Sequence, residues 1–124
     1  MATVTPTASR DVGERDGSSI SWSYAITTAN PDGAPMEWSE WADRTWTASG
    51  TWGGATLTIE GSNDGVTWFP LTNASGGAAA TFTANGCKTV VETPRFGRPN
   101  LTVVGAGATI TVILHARRNT GMRT

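Results

Sequence analysis

Between residues 18 and 26, large apolar side chains take every second position: Ile20, Trp22, Tyr24 and Ile26 alternate with Ser19, Ser21, Ser23 and Ala25. A period of two is the repeat of a β-strand with one buried face, and it does not fit the 3.6-residue repeat of a helix. The alternation returns over 44–49, where Trp46 and Ala48 oppose Thr45, Thr47 and Ser49, and over 55–61, where Leu57 and Ile59 point inward and Thr56, Thr58 and Glu60 outward. Residues 50–54, Gly-Thr-Trp-Gly-Gly, read as the turn of a hairpin joining these two strands. Residues 109–116 are rich in β-branched side chains and apolar on both faces near Ile113 and Leu114, the pattern of a central strand. Composition agrees, because 21 threonines, 15 glycines and one lysine leave little material for helices.

The punctuation sets the remaining boundaries. Asn30-Pro31-Asp32-Gly33 turns the chain, and Asp64-Gly65 between two strand-like runs supplies the positive φ angles of a tight hairpin, across which Trp68 packs back. Pro70 cannot donate a ladder hydrogen bond, so its strand ends there or lies at an edge. Residues 88–92 and 96–104 form further strands, the first stopped by Pro94 and the second interrupted by Pro99. About eight short strands without a helix to cover a sheet predict an all-β, single-domain two-sheet sandwich or jelly roll. That domain spans 18–118, preceded by an extended N-terminal arm over 1–17, which is too poor in apolar residues for a core of its own, and followed by a flexible tail over 119–124.

Nothing in the sequence assembles a catalytic site. His115, the single histidine, sits mid-strand, and Cys87, the single cysteine, has no second histidine to activate it. Glu37 and Glu40 are three apart and point to opposite faces of a strand, and Asp32 and Asp64 stand beside turn glycines without the spaced acidic series of a calcium loop. The expectation is a protein that is not an enzyme and holds no metal or cofactor. Nine basic against ten acidic residues, a net charge of −1, exert no general pull on nucleic acid or an anionic membrane, and there is no classical export signal or membrane-length apolar run. Of the six tryptophans, five besides Trp46 remain to be placed: Trp22 and Trp68 fall on inward faces, whereas Trp38, Trp41 and Trp52 lie near turns, where an aromatic that stays exposed marks a binding surface.

The run from Gly50-Thr51-Trp52-Gly53-Gly54 through Gly61-Ser62-Asn63-Asp64-Gly65-Val66-Thr67-Trp68 resembles small structural proteins encoded beside the major capsid protein of tailed bacteriophages. The segment Glu92-Thr93-Pro94-Arg95-Phe96-Gly97-Arg98-Pro99 is similar to a Glu-x-Pro-Arg-Tyr-Ile-Arg-Pro stretch of those proteins, with Phe96 and Gly97 as departures. Residues 111–118 and the opening 1–7 also fit, so the likeness covers most of the chain in order. Such proteins resemble capsid decoration or cement proteins. The resemblance implies a virion protein made in the host cytoplasm, bound to the capsid exterior and bridging major capsid protein subunits, as a dimer or trimer. It engages neither nucleic acid nor membrane directly. Residue type then nominates Val4 and Pro6 of the arm, Trp38, Trp41 and Trp52, and Arg95 and Arg98, whose guanidinium forks suit partner carboxylates. The alternatives are a carbohydrate-binding module on a virion or tail, stacking sugars on tryptophan, and a head-completion or tail structural protein.

Overall fold

The computed structural model describes residues 3–10, 19–37 and 41–118. Its strands are β1 (Thr3–Val4), β2 (Thr7–Arg10), β3 (Ser19–Thr27), β4 (Asp32–Gly33), β5 (Met36–Glu37), β6 (Trp41–Thr51), β7 (Thr56–Ser62), β8 (Phe69–Pro70), β9 (Thr81–Phe82), β10 (Gly86–Thr89), β11 (Phe96–Val103) and β12 (Thr109–Arg118), and the described residues contain no helix. One sheet has five strands in the order β10-β6-β12-β3-β2. The other has seven, built on the path β1-β4-β11-β7-β8, with β5 also on β11 and β9 also on β7. The protein is an all-β two-sheet sandwich.

The alternation seen in the sequence sorts residues onto the two faces. In the five-stranded sheet, Tyr24 and Ile26 of β3, Trp46 and Ala48 of β6, and Ile110, Val112 and Leu114 of β12 are buried. They join one cluster with Leu57 and Ile59 of β7 and Leu101 of β11 from the opposite sheet. Trp46 is fully buried and stacks on Tyr24 with ring centroids 6.5 Å apart. Burial raises the pKa of the Tyr24 phenol, whose OH donates to the Ala34 carbonyl at 2.9 Å. Trp22, inward but only partly buried, packs against this cluster and against a smaller one of Ile20 and Ala116.

Several expectations are corrected. β6 and β7 do not pair as a hairpin: the turn closed by Ala55 N–H to Trp52 C=O carries the chain from one sheet to the other. The two strands have the same alternation in either arrangement, so only the partner available decides. Pro99 does not interrupt β11 but sits inside it, opposite Ile59. Ile59 spends its own backbone groups on Ala80 and Leu71, so no ladder bond to Pro99 is missing on that side. On the other side the neighbouring strand is broken between Gly33 of β4 and Met36 of β5, and the Pro99 ring lies so close to Gly33 that a Cβ there would stand 2.6 Å from Pro99 Cδ.

Of the arm expected over 1–17, the described residues 3–10 pair into both sheets. Thr3–Val4 runs parallel to Asp32–Gly33 in one sheet, and Thr7–Arg10 pairs antiparallel with β3 in the other. Val4 packs against the main core, and its carbonyl accepts from Ala34 N–H at 2.7 Å. Low apolar content hid this role, because an edge strand needs one partly buried side chain and a row of backbone bonds, not a core of its own. Residues 119–124, the expected tail, lie outside the described residues. Removing residues 2–10 is therefore expected to cost about 2–3 kcal/mol, from one partly buried Val and several backbone bonds, and to lower the melting temperature by roughly 8 °C. An unchanged melting temperature in a calorimetric comparison with the full chain would contradict this placement of the arm.

Candidate protein-binding surface

β7 ends at Ser62, and the next residues fold back on their own side chains. Ser62 Oγ donates to Asp64 Oδ1 at 2.8 Å and accepts from the N–H groups of Asp64 (3.2 Å) and Gly65 (2.8 Å). Asp64 Oδ1 also accepts from Val66 and Thr67 N–H, both at 2.8 Å. Gly65 has φ 76°, a left-handed conformation that glycine adopts without steric cost. The backbone bonds from Thr67 and Val66, and then the Ser62 hydroxyl, favour the ionised carboxylate and hold the Asp64 pKa down to about 2. The hairpin foreseen from Asp-Gly exists, since β7 pairs with β8 through Glu60–Pro70 and Gly61–Phe69, but its loop is longer than a two-residue turn.

This braced loop presents apolar side chains to solvent: Val66 is 80% exposed and Phe69 63%. Between the hairpin and residues 92–94 lies a groove of about 440 Å³, with Phe69, Pro70, Leu71 and Pro94 among its apolar walls and Asp64 and Glu92 among its polar ones. The Glu92 carboxylate accepts from Thr72 N–H (2.7 Å) and Thr72 Oγ1 (2.5 Å), which lowers its pKa as well. The groove therefore combines an apolar wall with an anionic rim, and no basic side chain lines it. β8 is an edge strand, yet Pro70 offers no N–H, which discourages addition of a foreign strand there.

The residues nominated from the sequence separate. Arg95 is exposed beside the loop: its N–H donates to Asn63 Oδ1 (3.0 Å), its Nε to Glu37 Oε2 (2.9 Å), and its guanidinium lies 4.9 Å from the Phe96 ring centre. Arg98 turns inward to its own sheet instead, donating from Nε to Glu60 Oε1 at 2.9 Å and covering the Trp68 ring at 4.1 Å. Asn100 Nδ2 donates to the same Glu60 oxygen at 3.3 Å. Trp68 is thus held under Arg98 and is only partly buried, not in the core. Trp52 is partly buried against the core and donates from Nε1 to Asn85 Oδ1 at 2.9 Å, bracing the turn between the sheets. Val4 serves the core and Pro6 is partly buried. Trp41 opens β6, its side chain lying outside the described set, and Trp38 lies outside the described residues.

Val66 and Phe69 were passed over in the sequence. The signal is local: two apolar residues following Asp64-Gly65, then a proline that forces the strand to an edge. His115 lies on the open face of the five-stranded sheet, its Nδ1 3.0 Å from Ser21 Oγ, and Cys87 is exposed. Among the described residues no three His, Cys, Asp or Glu side chains group as a metal site. In comparisons with known proteins the chain matches no family model, no curated protein and no solved structure.

The loop geometry fixes an acid response. A depressed carboxylate pKa contributes stability that is present above the unfolded value, near 3.8, and lost as pH falls through the folded value, about 2. Carboxyl NMR titration is expected to place the Asp64 midpoint near 2 in the folded chain, and Ser62→Ala is expected to raise it. A midpoint near 3.8 in the unmodified protein would contradict the described loop.

Proposed function

We propose that this domain is a non-catalytic structural protein of a tailed-phage virion, a decoration or cement protein that binds the capsid exterior and bridges major capsid protein subunits. The reading rests on the resemblance drawn from the sequence, in which the stretches 1–7, Gly61–Trp68, Glu92–Pro99 and 111–118 are similar to parts of small proteins encoded beside the major capsid protein. The apolar, anionic groove at the β7–β8 hairpin supports the adhesive part of it. A rigid loop with Val66 and Phe69 already exposed loses little conformational freedom on docking, and aromatic anchors of this kind dominate protein–protein binding energy. Many copies on one shell then oppose subunit separation together, since each bridge forms only between assembled neighbours.

Within this reading Val66 and Phe69 join the exposed Arg95 as contacts, while Trp52 and Arg98 bond within the fold. The test is co-sedimentation of the purified chain with empty capsids assembled from the adjacent major capsid protein. The chain is expected to remain on the particles, and the double change Val66→Ser with Phe69→Ser is expected to weaken retention at least tenfold, about 1.4 kcal/mol, with an unchanged circular dichroism spectrum. A chain that stays in the supernatant would refute the capsid reading, and binding to a glycan array with no capsid binding would favour the carbohydrate module instead.

A further inference from the structure

The outer face of the five-stranded sheet is poor in charged side chains, as the chain is as a whole. Along β3 it presents Ser21, Ser23 and Ala25, along β6 Thr45 and Thr47, and along β12 Thr109, Thr111, Ile113, His115 and Arg117. Among the described outward positions, Arg117 at the end of β12 is the one charged side chain other than the titratable His115. Asp, Glu, Lys and Arg make up 15% of the whole chain, below the roughly one quarter of an average soluble domain. Short hydroxyl side chains lose less rotamer freedom than lysine or glutamate when covered, and their charge-free surface needs no oppositely charged partner.

Ile113 is the large apolar side chain on this face and one of the exposed hydrophobics of the molecule, at 37%. It sits in the middle strand of the sheet, in register with Ser23 on one side and Thr47 on the other. The face therefore has an apolar centre and a polar surround, the layout of a protein interface. Its size fits too. With strands about 4.8 Å apart and a rise of about 3.4 Å per residue, three long and two short strands project to roughly 600 Å², and the corrugated accessible area is larger. A stable interface of standard size covers about 800 Å² on each partner.

We infer that the outer face of the five-stranded sheet is the self-association surface of the protein, which pairs two copies face to face about a twofold axis passing by Ile113. A twofold interface uses the same patch on both subunits, so it favours a surface that is neutral and centred on one apolar group. An axis lying in the face and across the strands sets Ile113 against its mate and Arg117 of each copy toward the Thr109 end of the other, so the two cations do not meet. The groove at the β7–β8 hairpin belongs to the other sheet and stays open in such a pair. The inference rests on this face alone and does not depend on the capsid reading.

Sedimentation equilibrium of the full chain, from about 1 to 200 μM, tests it. The unmodified protein is expected to approach twice its 13.0 kDa mass as concentration rises. Ile113→Asp and, separately, Thr47→Arg are expected to stay monomeric throughout with unchanged circular dichroism, and Phe69→Asp on the opposite sheet is expected to associate like the parent. Thr47 is exposed, so its variant decides the matter if Ile113→Asp fails to fold. A parent that remains monomeric over the whole range would overturn the assignment, and so would association that survives a folded Thr47→Arg or is lost in Phe69→Asp.

Discussion

The fold depends on one interaction: the inward face of β12, with Ile110, Val112 and Leu114, buried against Leu57, Ile59 and Leu101 of the opposite sheet. No disulfide can share that task, since Cys87 is the only cysteine. β12 is also the middle of the five-stranded sheet, hydrogen-bonded along most of its length to β3 and to β6. It thereby positions Tyr24 and Trp46, the two largest fully buried side chains, on either side of itself. Truncating Trp46 would leave a cavity at this junction, a kind of loss that typically costs about 3–5 kcal/mol, comparable to a large part of a small domain's stability.

With the inward faces consumed by the core, function falls to the edges, the hairpin and the outer faces. The two sheets differ there. The outer face of the seven-stranded sheet is tied up internally by Arg98, Glu60, Asn100 and Trp68, whereas the five-stranded sheet shows solvent mostly hydroxyl side chains around Ile113. The hairpin at β8 adds the apolar groove, its short pairing with β7 reinforced by side-chain bonds to Asp64 and Glu92. A domain arranged in this way can meet one partner with the hairpin while its opposite sheet remains available.

Much of the architecture was legible because burial is periodic. The strand at 18–26, the inward Leu57 and Ile59, the central strand at 109–116 and the edge position forced by Pro70 all follow from local pattern and turn chemistry. What local pattern cannot encode is which strand pairs with which. Trp46 and Leu57 alternate correctly whether β6 and β7 form a hairpin or cross between sheets, and Thr3–Val4 and Thr7–Arg10 reveal themselves only through partners in β4 and β3. The candidate site was less legible still. Arg98 has the residue type of an interface anchor, yet Glu60, 38 residues away, claims it, and Asn85 claims Trp52 from 33 residues away. Residue type names what a side chain is able to bind, and the nearest partner after folding decides what it does bind.

Native-state hydrogen exchange tests the dependence on β12 most directly. If burial of this strand holds the sandwich together, the amides of residues 110–116 exchange only through global unfolding, with opening free energies equal to the whole stability, while those of the edge strands β2 and β8 open at lower cost. Amides of β12 that exchange as fast as those of the edge strands, or that open independently of β6 and β3, would contradict the account.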